Sequence, residues 1–177
     1  MVESAEPEAP YEIITKLEAA ERQLRAAIRL FFEDRDLVAV HTLAAATQEV
    51  LIGIGRRRGT GSIFKDSPLI RPEYQKEMAD LFNEAQNFFK HGESDPNAQL
   101  KFYYRVTQFY IFDAANLYIL ITGKTLPEIA VFQVWFAAKF PDVLLEGALK
   151  EHARRIDPDD HSLFLEMLDN PPPTRAP

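Results

Sequence analysis

FYYRVTQFYIFDAANLYILIT, residues 102–122, is the stretch whose reading decides the fold. It is apolar nearly all round a helix and shows no period-two alternation, so a helix fits it where a strand does not. Its most apolar part, Val106 to Ile121, is interrupted by Gln108, Asp113 and Asn116. That part is also shorter than the ~20 apolar residues needed to cross a bilayer. Such a helix has to be enclosed by others, so it is expected at the centre of a bundle. Gly123 stops it.

The segments upstream supply the enclosing helices. Thr15 with Glu18 forms a capping box, and Leu17, Leu24, Ile28 and Phe31 follow as an apolar stripe. Glu18–Arg22 and Glu21–Arg25 are expected as i,i+4 pairs on its outer face. After a tight acidic turn at Asp34–Asp36, a second helix carries Leu37, Val40, Leu43, Ala44, Val50, Leu51 and Ile54. The short turn makes these two an antiparallel hairpin. A third helix opens near Pro72, with Tyr74, Met78, Leu81, Ala85 and Phe88 on one face and Gly92 as its C-cap.

Downstream the helices are shorter. Thr125 and Glu128 read as a second capping box before Val131, Phe132, Val134, Trp135 and Phe136. Those side chains point almost all round, so the bundle covers them or they form a subunit interface. Pro141 opens a helix over 142–155, and Asp157–Pro158 caps a last one ending at Met167. No segment reads as a strand. The fold class is all-α: an up-and-down bundle of four long helices with two or three short C-terminal ones. One domain spans 11–169, between an acidic tail at 1–10 and a Pro-rich tail at 170–177, both expected to be disordered.

Composition excludes several classes of function. The 177 residues contain no Cys, so disulfides, thiolate metal sites and Cys nucleophiles are ruled out. The formal net charge is -7. Residues 1–10 and 157–177 hold 8 of the 27 acids and 1 of the 20 bases, which leaves 19 of each in the body. No global field therefore favours nucleic acid or an anionic membrane. The N-terminus lacks the basic start and apolar run of a signal peptide. A cytoplasmic protein that does not engage a membrane is expected.

A few polar positions remain as candidates for a site. Arg56, Arg57, Arg58, Lys65 and Arg71 are the one basic cluster of the body, and if an anion or RNA binds anywhere, it is there. The GRRRGTGS loop follows a helix and lacks Gly-Lys-Ser/Thr, so it reads as a flexible helix end. His41 lies among Leu37, Ala44 and Ala45, expected at the core edge with a carbonyl or carboxylate partner. Asp113 and Asn116, on the apolar helix, need partners; Arg105, His41 and His91 are the candidates. Asp80, Glu84, Asn87 and His91 form a polar ridge at i, i+4, i+7 and i+11, read first as a solvated face. No His follows Glu at the spacing of a di-iron bundle and no His-Glu-x-x-His occurs. No metal or cofactor is expected.

The segment QNFFKHG, residues 86–92, resembles the catalytic helix of HEPN-type domains. In those an Arg, often followed by Asn, precedes a His on one helix of a bundle, and paired copies cut RNA without a metal. Asn87 and His91 match the Asn and the His. Gln86 stands in place of the Arg and lacks the cation that would stabilise a developing phosphorane charge. Arg35 with His41 has an allowed spacing as well. The wider pattern of KLEAAERQL, VHTLAAA and NFFKH looks like a family of bacterial helical proteins with no assigned activity. Two functions are therefore expected. The first is a non-enzymatic helical bundle, a homodimer, that binds a protein or a small ligand. The second is a divergent HEPN-type ribonuclease or an inactive RNA-binding relative.

Overall fold

The computed structural model describes residues 10–65, 72–92, 96–143 and 147–171, with the backbone alone at 72–75, 77–79 and 81. Among these residues there are seven helices and no strand: α1 (Lys16–Phe32), α2 (Leu37–Arg56), α3 (Pro72–Lys90), α4 (Tyr104–Thr122), α5 (Pro127–Lys139), α6 (Ala148–Ala153) and α7 (His161–Asp169). The all-α class is as the periodicity predicted. Arg71, the side chains of Tyr74, Met78 and Leu81, and most of both tails lie outside the described residues.

The helix ends follow from local chemistry. Thr15 Oγ1 accepts from the Glu18 N–H at 3.1 Å, and Glu18 accepts from the Thr15 N–H at 2.7 Å. Since Glu18 is used in this box, Arg22 pairs instead with Glu12, at 2.5 Å. The Glu21–Arg25 pair forms as expected, at 3.9 Å. α1 ends in a Schellman motif: Arg35 N–H donates to Leu30 O and Asp34 N–H to Phe31 O. The left-handed position is Asp34, with φ 52°, where glycine is usual. Asp36 then caps α2 by accepting from the N–H groups of Val38 and Ala39.

Three boundaries differ from the reading of the sequence. α5 starts at Pro127 with Leu126 as N-cap and no side-chain cap, so Thr125 and Glu128 do not form a capping box. Glu128 instead pairs with Arg25 at 2.9 Å. Residues 141–143 form a turn, and the helix beyond is only Ala148–Ala153. α7 is capped by Asp160, not by Asp157.

The core lies where α1, α2, α4 and α5 meet. α2 packs on both α1 and α4, so it shares the central position expected for α4 alone. By length and composition α2 could cross a membrane; its inner face holds His41 and Gln48 against α4. Three contacts show that α2 and α4 run the same way. His41 meets Thr107, Gln48 meets Asp113, and Arg58 donates to Ile121 O. α3 leans mainly on α2. The aromatic helix α5 is covered by its own chain, with Val131, Phe132, Trp135 and Phe136 buried. Trp135 Nε1 donates to Pro158 O at 2.9 Å, which ties α5 to the approach of α7.

The acids of residues 157–169 belong to the folded body. Asp169 pairs with Arg29 at 2.6 Å and Asp159 with Lys139 at 2.7 Å. The excess of acid at that end is thus partly spent on pairs with the neutral body, not set apart in a tail.

Candidate functional site

A polar seam runs through the apolar interface of α2 and α4. On α2 it consists of His41 and Gln48, two helical turns apart on one face. Asp113, wholly buried on α4, accepts from Gln48 Nε2 at 2.5 Å, Ser62 Oγ at 2.6 Å and the Ile63 N–H at 2.8 Å. Burial pushes its pKa above the ordinary value, and these three donors and the Lys65 charge oppose that shift. The seam corrects two expectations. The partners of Asp113 are none of Arg105, His41 and His91. Nor is the loop after α2 merely a flexible end, because Ser62 also accepts from the N–H groups of Phe64 and Lys65. It is a fitted plug over a buried carboxylate, and two of the three donors that the carboxylate needs come from it.

His41 is fully buried, with Nδ1 3.1 Å from Thr107 Oγ1. Its partner is a hydroxyl, not the carbonyl or carboxylate expected. Nε2 is buried with no hydrogen-bond partner among the described residues. Phe89, Phe102 and Tyr110 stand edge-on around the ring at 4.8–5.7 Å. Burial first, and then the Lys65 charge, lowers its pKa to about 4. The imidazole is therefore neutral at neutral pH.

The same packing turns α3. Its inward face carries Phe82, Ala85, Gln86 and Phe89, while Phe88 is 39 % exposed and does not belong to the buried stripe. Gln86 is buried, with Oε1 3.4 Å from the hydroxyl of Tyr110, which also donates to Phe82 O. Asn87 and His91 are exposed on the other side, as are Asp80 and Glu84. Gln86 thus faces away from the pair it precedes. His91 lies just past the end of α3, with its N–H still bonded to Asn87 O at 3.0 Å. Asn116 does not join Asp113; its Nδ2 donates to Phe112 O of its own helix at 2.7 Å.

The basic cluster is dispersed. Arg58 donates to Ile121 O at 2.5 Å, and so caps the C-terminal end of α4. Lys65 places Nζ 5.0 Å from the centre of the Tyr110 ring. Arg56 and Arg57 remain exposed. Arg57 and Arg58, with Lys16, Glu49, Val50, Gly53 and Ile54, line a groove of about 600 Å³.

Beside the seam, between α3 and the start of α4, lies a cleft of about 510 Å³. Phe82, Ala85, Leu100, Phe102, Val106 and Phe109 form its apolar walls, and Glu84, Lys101 and Arg105 are its charged groups. Phe102 is shared: one side lines the cleft, and its centroid lies 5.3 Å from that of His41. The sequence pointed to Glu84, and to Arg105 only as a partner for Asp113; Lys101 and the ring walls carried no signal, because the cleft is made by the non-helical segment 98–103 folding beside α3.

His161 also went unnoticed. Its Nδ1 lies 2.7 Å from Asp34 Oδ1, a close contact without hydrogen-bond alignment. It borders a smaller pocket of about 250 Å³ above Phe31 and Trp135. Among the described residues no three His, Asp or Glu side chains are grouped to hold a metal ion. Compared with protein-family models, curated proteins and solved structures, the chain matches none.

Proposed function

We propose that this is a non-enzymatic binding protein of the cytoplasm, acting as a homodimer, that takes a small, largely apolar molecule into the cleft between α3 and α4. In this reading α1 to α4 form an up-and-down bundle opened between α3 and α4. The observation that carries it is the cleft itself. Its volume of about 510 Å³ falls within the roughly 300–1,000 Å³ of small-molecule sites. Apolar walls with a few charged groups at the rim are the composition such sites share. Tyr104 and Leu120, each 61 % accessible, are the large apolar side chains of α4 that a second copy would cover.

Fluorescence of 8-anilinonaphthalene-1-sulfonate tests this reading. Saturable binding is expected to the wild type, with loss in Ala85→Leu, which fills the cleft, at unchanged helix content. Equal binding by Ala85→Leu would remove the cleft as the site.

A second reading, a metal-independent HEPN-type ribonuclease or RNA-binding relative, is favoured by the exposure of both Asn87 and His91. Labelled single-stranded RNA incubated in EDTA with the wild type and His91→Ala tests its nuclease form. Cleavage lost only in the variant supports a nuclease; equal cleavage, or none, counts against one.

A further inference from the structure

We propose that the ligand of the α3–α4 cleft is an amphipathic organic anion, a flat apolar body carrying a single carboxylate; this rests on the binding reading above. The walls suit a flat body. Phe82, Phe102 and Phe109 line the cleft, and ring faces and edges pack best against other rings. Phe82 and Phe109 are themselves braced by Phe64, at 5.2 and 5.4 Å between centroids, so these two walls are held in place before a ligand arrives.

The rim supplies the charge preference. Lys101 and Arg105 face one carboxylate there, Glu84, and all three are exposed. Arg22, Arg25, Arg29, Arg35 and Lys139, by contrast, each lie within 3.3 Å of a carboxylate oxygen. Among the described residues Lys101 and Arg105 have only rings. Lys101 Nζ is 5.2 Å from the Tyr103 centroid, and Arg105 Cζ is 5.5 Å from that of Phe140. A guanidinium resting on a ring keeps its donors free and has lost part of its freedom already, so a carboxylate binds it at a smaller entropic cost. Apolar walls and two such cations beside one entrance select a molecule with both characters.

Two probes of the same shape test the proposal: 2-naphthoate, and its neutral counterpart 2-naphthamide. Each is titrated calorimetrically into the full-length protein. Naphthoate is expected to bind about tenfold tighter, the scale of one charge-assisted hydrogen bond. Arg105→Gln and Lys101→Gln should erase that preference with little effect on the amide, and Glu84→Gln should strengthen naphthoate. Circular dichroism confirms that each variant is folded. If both probes bind alike, and Ala85→Leu or Val106→Trp abolishes both, the cleft reading stands and the anion proposal is overturned. If neither probe binds, or the filled variants bind as the wild type does, the cleft reading fails and takes the proposal with it.

Discussion

At the scale of single residues, His41 and Asp34 each hold an unfavourable state that their surroundings sustain. The neutral imidazole of His41 has a pKa of about 4 in the fold against an ordinary 6.5. The unfolded chain therefore binds this proton more readily. Stability owed to the neutral ring is complete above pH 6.5 and is lost as pH falls toward 4, by on the order of 3 kcal/mol. Asp113 has the opposite sign. Its pKa is raised by burial, so acid relieves part of its cost. Urea unfolding of the wild type and His41→Gln between pH 7 and 4.5 separates the two. The wild type should lose stability more steeply on acidification; parallel curves would show that His41 does not titrate in this way. Asp34 sits at φ 52°, a conformation that costs non-glycine residues about 1 kcal/mol or more. Asp34→Gly is expected to be at least as stable as the wild type, and Asp34→Ala about 1 kcal/mol below Asp34→Gly. Equal losses in both variants would show that the contact with His161 outweighs the backbone.

At the scale of elements, α2 shows why one residue type behaves in two ways. A Cβ on Gly53 would meet nothing within 4 Å, whereas one on Gly55 would lie 2.5 Å from Thr60 Oγ1 and 3.0 Å from the Thr60 carbonyl oxygen. Gly53→Ala should therefore stabilise the protein by about 0.5–1 kcal/mol through helix propensity. Gly55→Ala should destabilise it by about 1–3 kcal/mol, because the turn that carries Ser62 to Asp113 must shift. Thermal melts of the two variants check the opposite signs. The helices themselves were largely legible: period, Thr15–Glu18, Pro72 and Gly123 mark four of them within a few residues. What a sequence pattern does not weigh is competition. Glu18 was offered both Thr15 and Arg22, and Glu128 both Thr125 and Arg25. Glu18 keeps Thr15 and leaves Arg22 to Glu12, whereas Glu128 leaves Thr125 for Arg25 of α1, a partner that the local motif does not contain.

For the whole molecule, the seam and the cleft arise where distant segments meet. The need of Asp113 for donors was legible from its place on an apolar helix. That Gln48, Ser62 and Ile63 would supply them was not, since their separations from it are 65, 51 and 50 residues. Gln86 and Asn87 were read together as neighbours in one motif, yet adjacent residues on a helix point about 100° apart, and packing on Tyr110 took Gln86 alone inside. The cleft left still less trace, because an opening is a property of how α3 stands beside α4 and not of any one face. It is nonetheless the feature on which the functional account depends. Amide NMR mapping with 2-naphthoate tests it most directly. Saturable shifts concentrated at residues 82–85 and 100–109 are the expected result. Shifts centred on the Arg57–Arg58 groove or on the exposed Asn87–His91 face, or no saturable shifts at all, would contradict it.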